Sequence, residues 1–347
     1  MESPFKPLLE LPELDSVQVE IAAAALLDQS VSDDDKAVFL SHLARRGETP
    51  AELAAFVTSF LGRAVAVELD PAEAGGPVID VCGTGGDCLN LFNVSTTGVF
   101  VLAGAGARVV KHGNRGMTSK SGGADVLEAL GIRIDLSPDR VVECVKSVGA
   151  GFLFAPVYHP SFKTVAPVRK RLAETGQRTL FNLLGPLLNP SRPEVQLVGV
   201  FSGHLSTVYA EILGRLGRKR AWVVHGHTGD GRGMDEMSTL GLTEVHDLEN
   251  GEIVHYELTP DSLGLQTASL DDLKGGDAKE NATILRNILS GVDQGPRREL
   301  VLLNVAGALV VSGLAVDLKS GWEMGGEIID SGRAMKVLDA WQSFSKA

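Results

Sequence analysis

The chain has 347 residues, of which 44% are apolar and 22% charged, and its 44 acidic and 32 basic side chains give a formal net charge of −12. This charge disfavours non-specific binding to nucleic acid or to an anionic membrane. No apolar run reaches about 18 residues and no basic leader precedes an apolar stretch, so we expect a cytoplasmic protein without a membrane segment.

The first part of the chain is predicted to be helical. Between residues 17 and 65, apolar residues recur at intervals of three and four, as at Phe39, Leu40 and Leu43. Thr49 followed by Pro50 is typical of an N-cap and a first helical turn. We predict a small all-helical N-terminal domain over residues 1–75, completed by part of the proline-interrupted stretch 158–190.

Residues 76–347 are predicted to form a larger α/β domain. Short β-rich runs alternate with glycine-rich turns and helical stretches, which indicates a mostly parallel central sheet covered by helices. The predicted strands are 78–82, 108–111, 151–155, 195–201 and 220–224, with helices at 124–130 and 206–216. The 40 glycines make up about 12% of the chain against a usual share of about 7%, so we expect tight turns and close backbone approach.

The end of the chain is predicted to contain a hairpin and a helical region. The runs 243–248 and 253–258 flank Asn250-Gly251, a dipeptide typical of two-residue hairpin turns. From residue 277 to residue 344 the pattern predicts three helices.

A glycine loop follows the first predicted strand. Residues 83–87 read GTGGD, and Asn93, Ser95 and Thr96 open the next helix. Backbone amides of such a loop and the positive end of the helix suit an anion, and diphosphate is a natural ligand. The loop matches neither the dinucleotide-binding fingerprint nor the P-loop, and a plain structural turn is the alternative.

A second polar loop follows the second predicted strand. Lys111, His112, Asn114, Arg115 and several hydroxyls lie within residues 111–121. Because two such loops at the ends of successive strands converge, we predict a polyanion-binding site there. A solvated surface loop is the alternative.

A third loop carries the adjacent carboxylates Asp235 and Glu236. Neighbouring carboxylates suit Mg²⁺, which prefers oxygen ligands and bridges protein carboxylates to phosphate. Solvated surface carboxylates are the alternative.

Soft metal ligands show no complete pattern. His225 and His227 are spaced i, i+2 but the sequence offers no third soft ligand beside them, so no zinc site is predicted. Cys82, Cys88 and Cys144 show no paired spacing and support neither a disulfide framework nor structural zinc.

These motifs occur together in one order: GTGGD at 83–87, NVST at 93–96, KHGNR at 111–115, FLFAPVYH at 152–159, PVR at 167–169 and DEMS at 235–238. In them the chain resembles the anthranilate phosphoribosyltransferase family of type II phosphoribosyltransferases. Residues 47–50, 179–186 and 328–332 match its N-terminal helical domain, its middle and its last helix. The resemblance implies transfer of a phosphoribosyl group from phosphoribosyl pyrophosphate (PRPP) to the amino group of anthranilate in tryptophan biosynthesis, with Mg²⁺, in a homodimer.

The resemblance also assigns site residues by motif position. Those implied for PRPP are Gly83, Gly86, Asp87, Asn93, Ser95, Thr96, Lys111, His112, Gly113, Asn114, Arg115, Gly116, Met117, Thr118, Ser119 and Gly123. Those implied for anthranilate are Gly83, His112, Asn114, Tyr158, Arg169 and Pro186. Ser95, Asp235 and Glu236 are implied for Mg²⁺, and Lys111 and Arg169 for catalysis.

The chain departs from the family pattern at Leu91, where a phosphate-facing hydroxyl is usual, and at Gly116 and Gly123. Residues 227–232 lengthen the loop that carries Asp235, and we consider them a candidate mobile cover. Three alternatives remain open: a transferase for another aromatic amine, a pyrimidine nucleoside phosphorylase, and a related protein that binds nucleic acid.

Overall fold

The computed structural model describes residues 2–76, 78–116, 120–265 and 268–347. The helices are α1 (Ser16–Leu27), α2 (Asp33–Arg46), α3 (Pro50–Leu61), α4 (Pro71–Ala74), α5 (Val94–Gly104), α6 (Gly123–Ala129), α7 (Pro138–Val148), α8 (Ala155–Tyr158), α9 (Ala166–Glu174), α10 (His204–Arg215), α11 (Ala278–Leu289), α12 (Pro296–Val311), α13 (Leu318–Asp330) and α14 (Arg333–Lys346). The strands are β1 (Val78–Gly83), β2 (Arg108–Gly113), β3 (Ala150–Phe154), β4 (Val195–Gly199), β5 (Arg220–His227), β6 (Gly233–Met234), β7 (Thr243–Glu249) and β8 (Glu252–Leu258).

The strands form one sheet in the order β3-β2-β1-β4-β5-β7-β8, and β6 pairs with β5. The pairs from β3 to β5 are parallel, whereas β5, β6, β7 and β8 pair antiparallel. Helices pack against this mostly parallel sheet, and the predicted fold class is confirmed. The carboxyl ends of β1, β2, β4 and β5 therefore meet along one edge.

The predicted hairpin forms between β7 and β8. Its turn residues Asn250 and Gly251 have φ angles of 49° and 91°. Both are left-handed, as a two-residue turn of this type requires. The strand predicted at 151–155 ends one residue early, because Ala155 begins the short helix α8, in whose first turn a proline is favoured.

The N-terminal helices begin at the expected signals. The Thr49 hydroxyl accepts from the Glu52 amide at 3.2 Å, and the Glu52 carboxylate accepts from the Thr49 amide at 2.9 Å. This reciprocal cap fixes the start of α3.

A hydrophobic cluster joins these helices to the proline-interrupted stretch and to α10. Its members include Phe39, Phe56, Phe60, Val168, Leu172, Phe181, Leu184, Tyr209 and Leu213. An ion pair between Arg171 and Asp34, 2.8 Å long, also links α9 to α2. The stretch 158–190 thus packs on the helical segment, while the boundary at residues 75/76 stays a prediction.

The C-terminal region differs from the prediction. It contains four helices, whereas three are predicted. Gly332, with a left-handed φ of 73°, separates α13 from α14. Residues 328–332 consequently lie at the end of α13 and not in the last helix, which corrects that motif's placement. Within the described residues, no helix is both long and apolar enough to cross a membrane.

Candidate active site

A cleft of about 360 Å³ opens at the carboxyl edge of the sheet, between the loops that follow β1 and β2. The sequence-predicted residues that line it are Gly83, Gly86, Asp87, Asn93, Ser95, Thr96, Lys111, His112, Gly113, Asn114, Arg115, Gly116, Gly123, Asp235 and Glu236. Three further predicted residues, Met117, Thr118 and Ser119, lie outside the described residues. Leu91, Cys88 and Asn90 also line the cleft.

The first loop leads from β1 into α5. Gly85 and Gly86 have φ angles of 69° and 91°, a conformation that favours glycine. Asn93 precedes α5 but does not cap it: its side chain donates to the Ser121 carbonyl at 3.2 Å and accepts from the Asn281 amide at 2.8 Å. Ser95 and Thr96 in the first turn of α5 line the cleft, so the positive end of the helix dipole faces it.

The second loop is closed at its base by one carboxylate. Asp125 Oδ2 accepts from the backbone amides of Gly116 and Gly122, both at 2.8 Å. A Cβ at Gly122 would lie 2.5 Å from the Gly116 nitrogen, so glycine is required at this close approach. The Arg115 guanidinium is paired with Glu128 and Asp125 rather than free.

The segment that carries Asp235 and Glu236 lies directly across three strands. A Cβ at Gly199 would lie 1.7 Å from the Asp235 carbonyl oxygen, and one at Gly83 would lie 2.4 Å from Asp235 Oδ2. A Cβ at Gly226 would lie 2.4 Å from the Glu236 carbonyl oxygen. We call Gly83, Gly199 and Gly226 the glycine seam. The absence of side chains at these three positions lets the carboxylate segment lie against β1, β4 and β5. In the sequence, the only sign of this contact is a glycine at or near the end of each of these strands.

Three carboxylates meet beside the first loop. Asp235 Oδ2 accepts from the Gly85 amide at 2.6 Å. Burial, with the nearby charges of Asp87 and Glu236, raises the pKa of Asp235 well above its usual value. Burial also raises the pKa of Glu236 to about 8, although Lys111 opposes the shift. Desolvated carboxylates that repel one another fit a divalent cation with oxygen ligands. The sequence assigns Asp87 only to PRPP, and its proximity to Asp235 and Glu236 is seen only in the structure.

Lys111 lines the cleft from strand β2. Its side chain is buried, and Nζ donates to the Val81 carbonyl at 2.5 Å and to Ser95 Oγ at 3.1 Å. These bonds fix a positive charge beside Glu236, and that charge favours the ionised carboxylate.

A row of rings leads away from the cleft. His112 lies 5.3 Å from the His159 ring, His159 is 5.0 Å from Phe162, and Phe162 is 5.5 Å from Phe181. Burial, together with the neighbouring His159, lowers the pKa of His112 to about 3. The imidazole is therefore neutral at neutral pH.

The row ends at Arg169 on α9. Its guanidinium lies 4.9 Å from the centre of the Phe181 ring. Burial lowers the pKa of Arg169, and among the described residues no carboxylate forms an ion pair with it. A half-buried guanidinium without a carboxylate partner is suited to a carboxylate ligand.

Two other predicted anthranilate residues lie in the protein interior. Tyr158 is fully buried and its hydroxyl donates to the Leu136 carbonyl at 2.9 Å, so the structure does not bring it to the cleft. Pro186 is buried and its carbonyl accepts from Gln196 at 3.0 Å. The preceding residue, Gly185, contacts His112 Nδ1 through its carbonyl at 3.3 Å.

The chain matches known proteins over nearly its full length. A family model described as "Glycosyl transferase family, a/b domain" matches residues 75–335. Anthranilate phosphoribosyltransferase of Methanocorpusculum labreanum is 45% identical over 335 residues, which cover 96% of this chain and 95% of that protein. The chain belongs to the anthranilate phosphoribosyltransferase family. The resemblance inferred from the motifs is thus confirmed, and the chain is a glycosyltransferase of the pentosyltransferase type.

Solved structures of this family have the same fold. The crystal structure of anthranilate phosphoribosyltransferase from Thermus thermophilus has a TM-score of 0.89 at 38% identity and covers 100% of both chains. The enzyme from Saccharomyces cerevisiae in complex with PRPP and Mg has a TM-score of 0.84 at 28% identity, covering 96% of this chain and 94% of that one.

Proposed function

We propose that this family member transfers the phosphoribosyl group of PRPP to the amino group of anthranilate and releases diphosphate, as a step of tryptophan biosynthesis. The observation that carries the proposal is the convergence in one cleft of three carboxylates, one fixed lysine and two amide-rich loops. This donor set suits a substrate with a diphosphate leaving group.

Asp235, Glu236 and Ser95 would hold Mg²⁺, with Asp87 beside them. The raised pKa values of Asp235 and Glu236 support this assignment: burial first, and then the charge of Asp87, disfavour the ionised carboxylates, and a bound cation would favour them. When bound, Mg²⁺ supplies positive charge to the diphosphate and its leaving oxygen. The yeast relative was solved with PRPP and Mg.

The donor end of the cleft acts by position and charge. Breaking the bond between ribose and diphosphate leaves an oxocarbenium-like ribose and a highly charged leaving group, which preorganised donors stabilise. Lys111 would place its charge toward that group, because its two hydrogen bonds to Val81 and Ser95 hold the ammonium in the cleft. The α5 N-terminus and the first loop would contribute backbone amides.

The acceptor end would bind anthranilate through Arg169. A guanidinium pairs with a carboxylate in a bidentate fork, and this one, 4.9 Å from the Phe181 ring, forms no ion pair with a carboxylate among the described residues. An aromatic amine is already neutral at pH 7, so its lone pair needs no strong base. Neutral His112 fits this requirement, because it orients the acceptor without adding charge to the path.

We also propose the division into a helical domain over residues 1–75 and an α/β domain over 76–347, and assembly as a homodimer. Apolar side chains of Val17, Ile21 and Val38 are 67%, 49% and 54% exposed on α1 and α2. They are candidates for a subunit contact, which sedimentation of the purified protein tests.

The decisive experiment follows the loss of anthranilate fluorescence when the protein meets PRPP and Mg²⁺. We expect turnover in the wild type and a loss of at least about 100-fold in Asp235→Asn/Glu236→Gln, because the charge stabilisation of the leaving group is removed. Glu249→Gln is the matched control. Glu249 forms an ion pair with Arg220 at the amino end of β5, whereas the cleft lies at the carboxyl ends of the parallel strands. Absence of wild-type turnover would refute the function, and full turnover in the double variant would refute the metal assignment.

A further inference from the structure

A second group of metal-ligating side chains lies outside the cleft. His225 and His227 are two residues apart on β5 and point to the same face of the sheet. Glu244 on the adjacent strand β7 pairs in register with His225. One possible ligand atom from each of the three lies within 4.8 Å of the other two. The sequence showed two histidines without a third ligand, and the antiparallel pairing with β7 supplies it.

His225 is already oriented as a ligand. Its side chain is buried, and Nδ1 lies 2.8 Å from the Val200 carbonyl oxygen. A carbonyl can only accept, so Nδ1 carries the proton and Nε2 keeps its lone pair. A backbone carbonyl that fixes the second ring nitrogen is the usual support of a metal-binding histidine.

His227 and Glu244 supply the other two donors. His227 Nε2 donates to Glu244 Oε1 at 2.8 Å, and the side chains are 37% and 26% exposed. A cation entering from solvent would replace the shared proton, which moves to Nδ1 of His227 or to water. Ligand atoms of tetrahedral zinc lie about 3.3 Å apart, a spacing that small rotations of these two exposed side chains would produce.

We propose that His225, His227 and Glu244 form a transition-metal site of the zinc type, distinct from the carboxylates assigned to Mg²⁺. Two imidazoles and one carboxylate favour zinc over magnesium, and three protein ligands leave the fourth position to water.

A metal ion at this site would immobilise the residues that flank the loop 228–232. His227 precedes this loop, and Gly233, which follows it, packs so closely on His225 that a Cβ there would lie 2.3 Å from Cε1. The loop is held internally by Arg232 and Asp230. Arg232 shares a surface pocket with Cys88 and Asn90 at the rim of the cleft. An ion at this site would therefore fix the loop beside the PRPP cleft.

The test is zinc binding by the chelator-stripped full chain in excess Mg²⁺, measured by competition with a chromophoric zinc chelator. We expect one Zn²⁺ per chain. The affinity for Zn²⁺ should weaken by about 10-fold to 100-fold in His227→Gln and in Glu244→Gln. His255→Gln is the matched control: its ring lies 4.7 Å from His246 on the same hairpin, and these two histidines do not belong to the three-ligand cluster found among the described residues.

X-ray absorption of the wild-type zinc complex gives an independent answer that needs no variant to fold. We expect a shell of nitrogen and oxygen with two imidazoles. Sulfur in the shell would place the ion on a cysteine and overturn the proposal. Zinc affinity unchanged in both variants, or lost only in Asp235→Asn/Glu236→Gln, would overturn it as well.

Discussion

The two ends of the proposed reaction path are built in different ways. The donor end is made of loop amides, Lys111 and carboxylates, and the backbone contacts of the glycine seam hold those carboxylates in place. The acceptor end is a row of rings that ends at one guanidinium, 4.9 Å from Phe181. A highly charged substrate needs many fixed donors, whereas a flat aromatic acid needs a ring-sized space and one cation. Activity should therefore be sensitive to backbone displacement at the donor end, in addition to loss of its charged groups, whereas at the acceptor end it should depend mainly on one side chain.

The largest effect is expected from Gly199→Ala. Its Cβ would lie 1.7 Å from the Asp235 carbonyl oxygen, so the segment with both carboxylates must move. A displacement of about 1 Å at a reacting centre costs roughly 100-fold in rate. Steady-state turnover and thermal unfolding should both fall.

Gly214→Ala is the matched control, because its Cβ would meet Leu248 at an ordinary 3.6 Å. Unchanged turnover in Gly199→Ala would show that the glycine seam does not position the carboxylates.

An effect of similar or smaller size, confined to one substrate and without loss of stability, is expected from Arg169→Ala. Loss of a charge-assisted hydrogen-bonded pair costs about 1.5–3 kcal/mol, which corresponds to roughly 10-fold to 150-fold. We expect this increase in the KM for anthranilate, with the KM for PRPP nearly unchanged, in initial-rate kinetics.

Arg171→Ala serves as control, because Arg171 lies on the same helix but pairs with exposed Asp34 at 2.8 Å. Equal increases in both KM values would show that Arg169 does not bind anthranilate selectively.

The smallest effect concerns stability and pH. The pKa of His112 falls from 6.5 to about 3 on folding, so between these values the unfolded chain binds the extra proton. Stability contributed by the neutral ring is complete above pH 6.5 and is lost as pH falls toward 3. The slope is at most about 1.4 kcal/mol per pH unit, and partial exposure of the ring reduces it.

Urea unfolding between about pH 4.5 and pH 7 measures this slope. His112→Gln should show a shallower loss of stability than the wild type. Parallel curves for the two proteins would contradict a neutral His112 in the folded state.

Local signals were sufficient for much of the fold. Thr49 and Pro50 marked the start of α3, and Asn250-Gly251 marked the turn between β7 and β8, because capping and left-handed turns are properties of short segments. The break at Gly332 was missed, since a lone glycine is tolerated in a helix and does not by itself mark a helix end.

The sequence predicts the parts of the candidate site that lie close together along the chain. It does not predict the contacts between residues that come from different strands. The two anion loops and the pair Asp235-Glu236 were found from the sequence. The proximity of Asp87 to Asp235 depends on the strand order, which places β4 between β1 and β5, so that the segment after β5 and β6 reaches the end of β1. Glu244 entered the histidine cluster in the same way, through the pairing of β7 with β5.

The glycine seam has a consequence for redesign of the enzyme. At Gly199 and Gly226 the neighbouring atoms are backbone, and at Gly83 the neighbour is the Asp235 carboxylate itself, so any side chain added at these three positions would displace the carboxylate segment. The rings of Phe162 and Phe181 are side chains and can be exchanged for larger or smaller apolar groups one at a time. A library that seeks acceptance of other aromatic amines should therefore vary that wall and leave the seam intact.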